Sequence, residues 1–223
     1  MRTIALDFSS HGQSAQVLAR HSIVSYAEDL AALIEMLGLS DVVLVGWSMG
    51  AMVAWEYLRC FGASQIAGLV VVGETAAEFE WPDWSFGIAD LAELAGLNES
   101  VQRSHDELIS ESARLLFRNP PSSIDATWIE GEMRTPPPTV ASTILLSQTV
   151  ADYRAFCETI TVPTWICHGH HDVVVPIQAG LELAARIPNA LFTGYEESGH
   201  CPFWEEPSRF NSELAAFVER CRS

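Results

Sequence analysis

Residues 45–51, VGWSMGA, place one serine between two glycines directly after an apolar run. A serine hydroxyl is a weak nucleophile at neutral pH; it needs a base to take its proton and an acid to orient that base. Two other segments supply such groups. WICHGHHD puts Asp172 just past an apolar run, and YEESGHCPFWEEP puts His200 just past another. The chain order is Ser48, Asp172, His200, an order that goes with a serine carried on a tight strand-to-helix turn. GWSMG alone also fits an ordinary Gly-rich loop; the three coincident placements are what make the pattern specific. On such a turn Gly46 and Gly50 are both expected to be sterically required, because side chains there would crowd it. The helix that follows would put partial positive charge where an oxyanion forms, with the Met49 N–H as one donor. Trp47 is a candidate for lining the acyl pocket, and packing accounts for it equally well.

The elements that must position these residues are legible as alternating short apolar runs and helical patterns, the signature of βαβ units and a parallel sheet. Residues 3–8 (TIALDF), 41–46 (DVVLVG), 68–73 (GLVVVG), 163–168 (PTWICH) and 190–195 read as strands. The second of these is continuous and β-branched, as expected of a strand buried on both faces. Residues 25–37 read as a helix opened by a Ser25/Glu28 capping box and stopped by Gly38. Residues 51–61, 178–187 and 207–220 are further helices. From about residue 74 to residue 160 the strand pattern disappears. Helices are expected there at 91–97, 101–117, 124–133 and 140–150, separated by proline runs at Pro120 and Pro136. The expected organisation is a core of residues 1–75 and 161–223, interrupted by a helical cap or lid at 76–160. That insertion is too long for a plain loop.

On these residues the chain resembles the α/β-hydrolase superfamily. ALDFSSHGQS (residues 5–14) is similar to the family's aspartate-led loop ending in His-Gly-x-Ser, and SGHCPFWEEPSRFN to its histidine loop and proline-led last helix. The resemblance implies an α/β fold: a mostly parallel sheet flanked by helices, with a helical lid. It also implies a triad of Ser48, His200 and Asp172. Within the superfamily, GWSMG with GHCPFWEEP looks most like the small esterase, lactonase and cofactor-free haloperoxidase (perhydrolase) group; members with an aspartate at the turn, dehalogenases and epoxide hydrolases, are argued against by Ser48. One departure stands out. The family's sheet begins well upstream of a strand like TIALDF, and its third strand, lying between the fourth and fifth, ends in a His-Gly loop that gives the second oxyanion N–H. Here Met1 falls almost on the fourth strand, and His11-Gly12 already matches the loop after it. The expectation is that Met1 is an internal methionine of a longer polypeptide. The alternative is a short form whose sheet rearranges or borrows a strand from a partner.

Competing readings concern the same segments. His168, His170 and Asp172 spell H-x-H-x-D, which resembles the start of a metallo-β-lactamase metal motif; Val173 follows where that motif continues with histidine, and zinc needs several converging ligands. No metal and no organic cofactor is therefore expected. Glu74, just after the GLVVVG run, is the alternative triad acid. Cys201 is read as a small buried apolar residue rather than a reactive thiol. The five cysteines are odd in number and never spaced C-x-x-C, which suits a reducing compartment. With no leader-like N-terminus and no membrane-length apolar run, a cytoplasmic location is expected. The formal charge of −17 over 223 residues argues against nucleic acid and anionic membranes as partners. The expected partner is a small ester-like substrate, and homo-oligomers are compatible with the sequence. The function expected is hydrolysis of carboxylic esters or lactones. Perhydrolysis is one alternative; an inactive, truncated relative acting as a binding protein is the other.

Overall fold

The structure is a computed structural model and describes residues 2–222. Its elements in chain order are α1 (Ile23–Met36), β1 (Val42–Trp47), α2 (Met49–Phe61), β2 (Ile66–Val72), α3 (Leu91–Arg103), α4 (His105–Leu115), α5 (Ser123–Met133), α6 (Pro138–Thr149), α7 (Arg154–Cys157), β3 (Thr164–Gly169), α8 (Ile177–Arg186), β4 (Leu191–Tyr195), α9 (Pro202–Glu205) and α10 (Pro207–Arg220). Among the described residues the sheet has four strands, ordered β1-β2-β3-β4, and every pair is parallel. All four C-terminal ends therefore lie along one edge of the molecule, and the loops leaving them meet there.

The sheet is covered on both faces, and the two-residue period of a strand divides its side chains between them. Leu69, Val71 and Ile166 pack with α1, α2 and α8 through Tyr26, Ile34, Trp55 and Leu183. Val70, Val72, Trp165 and Cys167 point the other way, onto Phe210 and Phe217 of α10. β2 is buried along nearly its whole length, as its unbroken apolar sequence requires. Helices α3 to α7 all fall between β2 and β3, where the strand pattern of the sequence lapses.

Several local expectations are corrected. TIALDF does not join the sheet. It faces β1 across a cavity of about 580 Å³ lined by residues including Ile4, Leu6, Val43, Val45, Val53 and Val218. The segment has the residue types of a strand and no neighbour close enough to pair with. For the same reason β1 is not buried on both faces: it is the sheet edge, and Val45 is 51% exposed. Helix α1 starts earlier than expected. Its capping box is formed by Ser22 and Ser25, each hydroxyl accepting from the other's backbone N–H at 3.1 and 3.0 Å, while Glu28 pairs with Arg20. The break expected between residues 97 and 101 is absent, because an Asp90/Glu93 capping box starts a helix that runs on to Arg103.

Candidate active site

Ser48 sits between β1 and α2 in a backbone conformation that side chains rarely adopt, with φ 51° and ψ −128°. The turn is pinned by two hydrogen bonds. Ser48 N–H donates to the Val72 carbonyl of β2 at 2.9 Å, and Ala51 N–H donates to the Ser48 carbonyl at 2.8 Å. Strain of this kind persists only where the surroundings over-determine it. Gly46 is one reason it can: a Cβ there would lie 2.5 Å from Ala51 N and from the Gly50 carbonyl group. Gly50 is different. A Cβ at that position would meet nothing within 4 Å, so the expectation that both glycines are sterically required holds for Gly46 only. The Ser48 hydroxyl makes no hydrogen bond among the described residues and is partly open to solvent. Met49 begins α2, so its N–H has no partner within the helix and points where an oxyanion could sit.

Asp172 and His200 come together in the interior. His200 Nδ1 lies 2.7 Å from Asp172 Oδ2, and both side chains are buried. The other carboxylate oxygen, Oδ1, accepts from the backbone N–H groups of Val174 and Val175, each at 2.9 Å. Held by three hydrogen bonds, the carboxylate is fixed in orientation. The histidine loop is strapped down as well. His200 N–H donates to the Leu116 carbonyl at 2.9 Å, and Gly199 N–H donates to Glu205 at 2.6 Å. Glu206 accepts from Glu197 N–H and from the Ser198 hydroxyl. The EEP run after the histidine thus acts as the acceptor set that shapes the loop before it.

Trp47, next to Ser48 in sequence, is in contact with His200. Its indole N–H donates to the His200 carbonyl at 2.9 Å, and its ring lies 5.3 Å from the imidazole and 5.4 Å from Phe203. These contacts give Trp47 a tethering and packing role, the second of the two readings of this residue. Nothing in the sequence marks this bond, since it joins residues 153 positions apart.

The other acidic and imidazole groups take separate places. Asp172, not Glu74, meets the histidine. Glu74 is fully buried just beyond β2, with Oε1 accepting from Thr75 N–H at 2.6 Å and Oε2 unpartnered among the described residues. Burial, reinforced by the nearby Glu78, pushes its carboxyl well above the usual range. Burial also raises Glu78, to about 7, although Gln148 and Thr149 of α6 donate to it. Sequence reasoning passed over Glu78, whose position inside the insertion gave no signal. The HGHHD run splits: His168 and Asp172 lie together, Nε2 bonding the Val175 carbonyl and standing 3.5 Å from the Asp172 carboxylate, while His170 packs on Gly194. Cys201 is buried, and burial raises its thiol. In the 9–14 loop, the N–H groups of residues 10 to 14 all have acceptors: Ser10 to Ala15, His11 to Phe8, Gly12 to Thr135, Gln13 to Asp7 and Ser14 to His11. None of the five is free to serve as the second oxyanion donor.

A family model described as alpha/beta hydrolase fold matches residues 1–207. The chain belongs to the α/β-hydrolase fold family. It is 29% identical over 227 residues to a non-heme haloperoxidase of Rhodococcus erythropolis, covering 98% of this chain and 82% of that protein. It is 28% identical over 228 residues to the bifunctional esterase/perhydrolase DCH of Acinetobacter calcoaceticus, covering 97% and 81%. Among solved structures, the esterase EaEST of Exiguobacterium antarcticum superposes with a TM-score of 0.91 at 23% identity, covering 96% of this chain and 80% of that one. The last likeness establishes the fold of this α/β-hydrolase and no more. No helix among its described residues is long and apolar enough to cross a membrane.

Proposed function

We propose that this α/β-hydrolase is a serine hydrolase of carboxylic esters or lactones that works through an acyl-enzyme on Ser48. His200 takes the Ser48 proton as Oγ attacks the carbonyl carbon. The tetrahedral intermediate collapses, the C–O bond to the alcohol breaks, and His200 returns that proton to the leaving oxygen. Water, deprotonated by His200, then attacks the acyl carbon and releases the carboxylic acid and free Ser48. Asp172 holds the imidazole with Nδ1 protonated, so that Nε2 is the basic nitrogen. The observation that carries the reading is the buried 2.7 Å His200–Asp172 bond set beside a strained serine turn.

Labelling with a fluorophosphonate probe, followed by peptide mass spectrometry, tests this. Probe on Ser48 in the wild type, lost in Ser48→Ala and in His200→Ala, is the expected result. A folded wild-type protein that takes no probe would overturn it and favour the binding-protein alternative.

A second reading is perhydrolysis, in which hydrogen peroxide replaces water at the acyl-enzyme. The haloperoxidase and esterase/perhydrolase relatives favour it. Peracid formation from acetate and peroxide, read as bromide oxidation, distinguishes the two.

A further inference from the structure

His168 is fully buried near the end of β3, and the mechanism above gives it no task. Its Nε2 lies 2.7 Å from the Val175 carbonyl oxygen. A carbonyl only accepts, so Nε2 carries the proton. Burial lowers the imidazole's pKa, which keeps the ring neutral and leaves Nδ1 as a lone pair. Nδ1 has no partner among the described residues and faces Gly180 of α8, where any Cβ would collide with it. The ring therefore donates from one side only, in one tautomer.

That one donor reaches two groups of a single turn. Val175, whose carbonyl it binds, is also the residue whose N–H binds Asp172 Oδ1 at 2.9 Å. The same Nε2 stands 3.5 Å from Asp172 Oδ2, the oxygen that receives His200. The N–H groups of Val174 and Val175 thus clasp the carboxylate, while His168 clasps the turn from behind through the Val175 carbonyl. A residue needed only for packing would not be a histidine here, because an unpaired buried ring nitrogen costs free energy that an apolar side chain of the same size avoids.

We infer that His168 is a positioning residue, which acts through Asp172 by fixing the 172–175 turn and thereby the orientation of His200. The inference rests on the proposed triad. The titratable groups whose charge it feels are Asp172, His200 and His170. Two substitutions separate positioning from packing. His168→Gln can return an N–H close to the place of Nε2; His168→Met keeps the volume and removes the donor.

The experiment compares ester hydrolysis by wild type, H168Q and H168M over pH, with circular dichroism to confirm folding. In H168M the expected loss is in kcat, about ten- to a hundredfold, the scale of a small misplacement at a reacting group. KM stays near the wild-type value, and the low-pH midpoint of kcat/KM is displaced. H168Q recovers most of kcat and the wild-type midpoint. Equal kcat and an unmoved midpoint in a folded H168M would overturn the inference. Should H168M not fold, nitrogen NMR of wild-type His168 decides: a neutral ring protonated at Nε2 at pH 7 is required, and a proton on Nδ1 contradicts it. A wild type that neither labels with the fluorophosphonate probe nor hydrolyses esters would instead overturn the triad, while the nitrogen measurement would still report on His168.

Discussion

The indole N–H of Trp47 donates to the carbonyl of His200, so the residue that precedes Ser48 holds the backbone of the imidazole that faces it. The strand carrying the serine and the loop carrying the histidine are joined at a distance fixed by one ring. Trp47→Phe keeps most of the ring and deletes the donor, leaving the His200 carbonyl without this partner. We predict a loss of about 1–2 kcal/mol in urea unfolding, the scale of a buried acceptor left unpaired. A lowered kcat with nearly unchanged KM should accompany it. A variant with wild-type stability and kcat would mean that ring packing alone positions the loop.

Two carboxyl groups near the histidine differ in what they touch, and substitution should separate them. Asp172→Asn keeps an acceptor for Val174 and Val175 but presents a poor partner to Nδ1–H and favours the wrong tautomer. The expected fall in kcat is on the order of 10³–10⁴. Glu74→Gln leaves the His200–Asp172 bond intact and should keep kcat within about threefold of wild type, given the tenfold-per-1.4 kcal/mol scale of barrier changes. Steady-state hydrolysis of a nitrophenyl ester reads both. Comparable losses in the two variants would show that the acid role is shared.

The two glycines of GWSMG should behave oppositely. Gly46→Ala forces a methyl group onto backbone atoms 2.5 Å away, an overpacking that costs about 3 kcal/mol and distorts the Ser48 turn. Gly50→Ala meets open space inside a helix, where alanine is favoured by up to about 1 kcal/mol. Thermal unfolding of the pair gives the order: Gly50→Ala at or above wild type, Gly46→Ala well below it.

Glu78 makes stability fall as pH rises. Its carboxyl is raised by burial to about 7 in the folded protein, against 4.5 as its ordinary value. Between those values the folded chain holds a proton that the unfolded chain has released. The stabilisation is complete below about pH 4.5 and is lost as pH climbs through about 7. Glu74, raised in the same direction, adds to the trend. Glu78→Gln should flatten the decline between pH 5 and pH 8 and raise stability at pH 8 by up to about 3 kcal/mol. Urea midpoints across that range measure it, and an unchanged slope would remove Glu78 as the cause.

What could be read before the structure followed from local chemistry. DVVLVG, GLVVVG and PTWICH are short apolar runs, the first two rich in β-branched residues, and their parallel pairing follows from the helices between them. Asp172 and His200 were found because each lies just past such a run. What could not be read depends on partners distant in sequence. TIALDF has strand composition, yet whether it pairs is decided by what lies beside it. Ser22 and Ser25 are equally suitable caps by type, and only the chain's entry into α1 selects Ser22. Trp47 was chosen for its position beside Ser48, while its hydrogen bond goes to a residue in the last loop. His168 stands out by sequence only as part of an H-x-H-x-D run, and nothing local marks its bond to the Val175 carbonyl.

The open side of β1 has a consequence for the order in which the site comes apart. Val42 and Ser48 N–H groups donate toward β2, so by strand alternation those of Val43 and Val45 face the cavity instead. β1 is therefore bonded along one side only, whereas β2 and β3 are bonded along both. Asp172 and His200 follow β3 and β4; Ser48 alone follows β1. β4 is the other edge, and its detachment would carry away His200; detachment of β1 alone would separate the serine from an acid–base pair that stays assembled. Hydrogen exchange should record that hierarchy, with the Val43 and Val45 amides exchanging orders of magnitude faster than those of Val70 and Val71. Activity lost on gentle warming while the His200–Asp172 bond persists would place the first detachment at β1 rather than at β4.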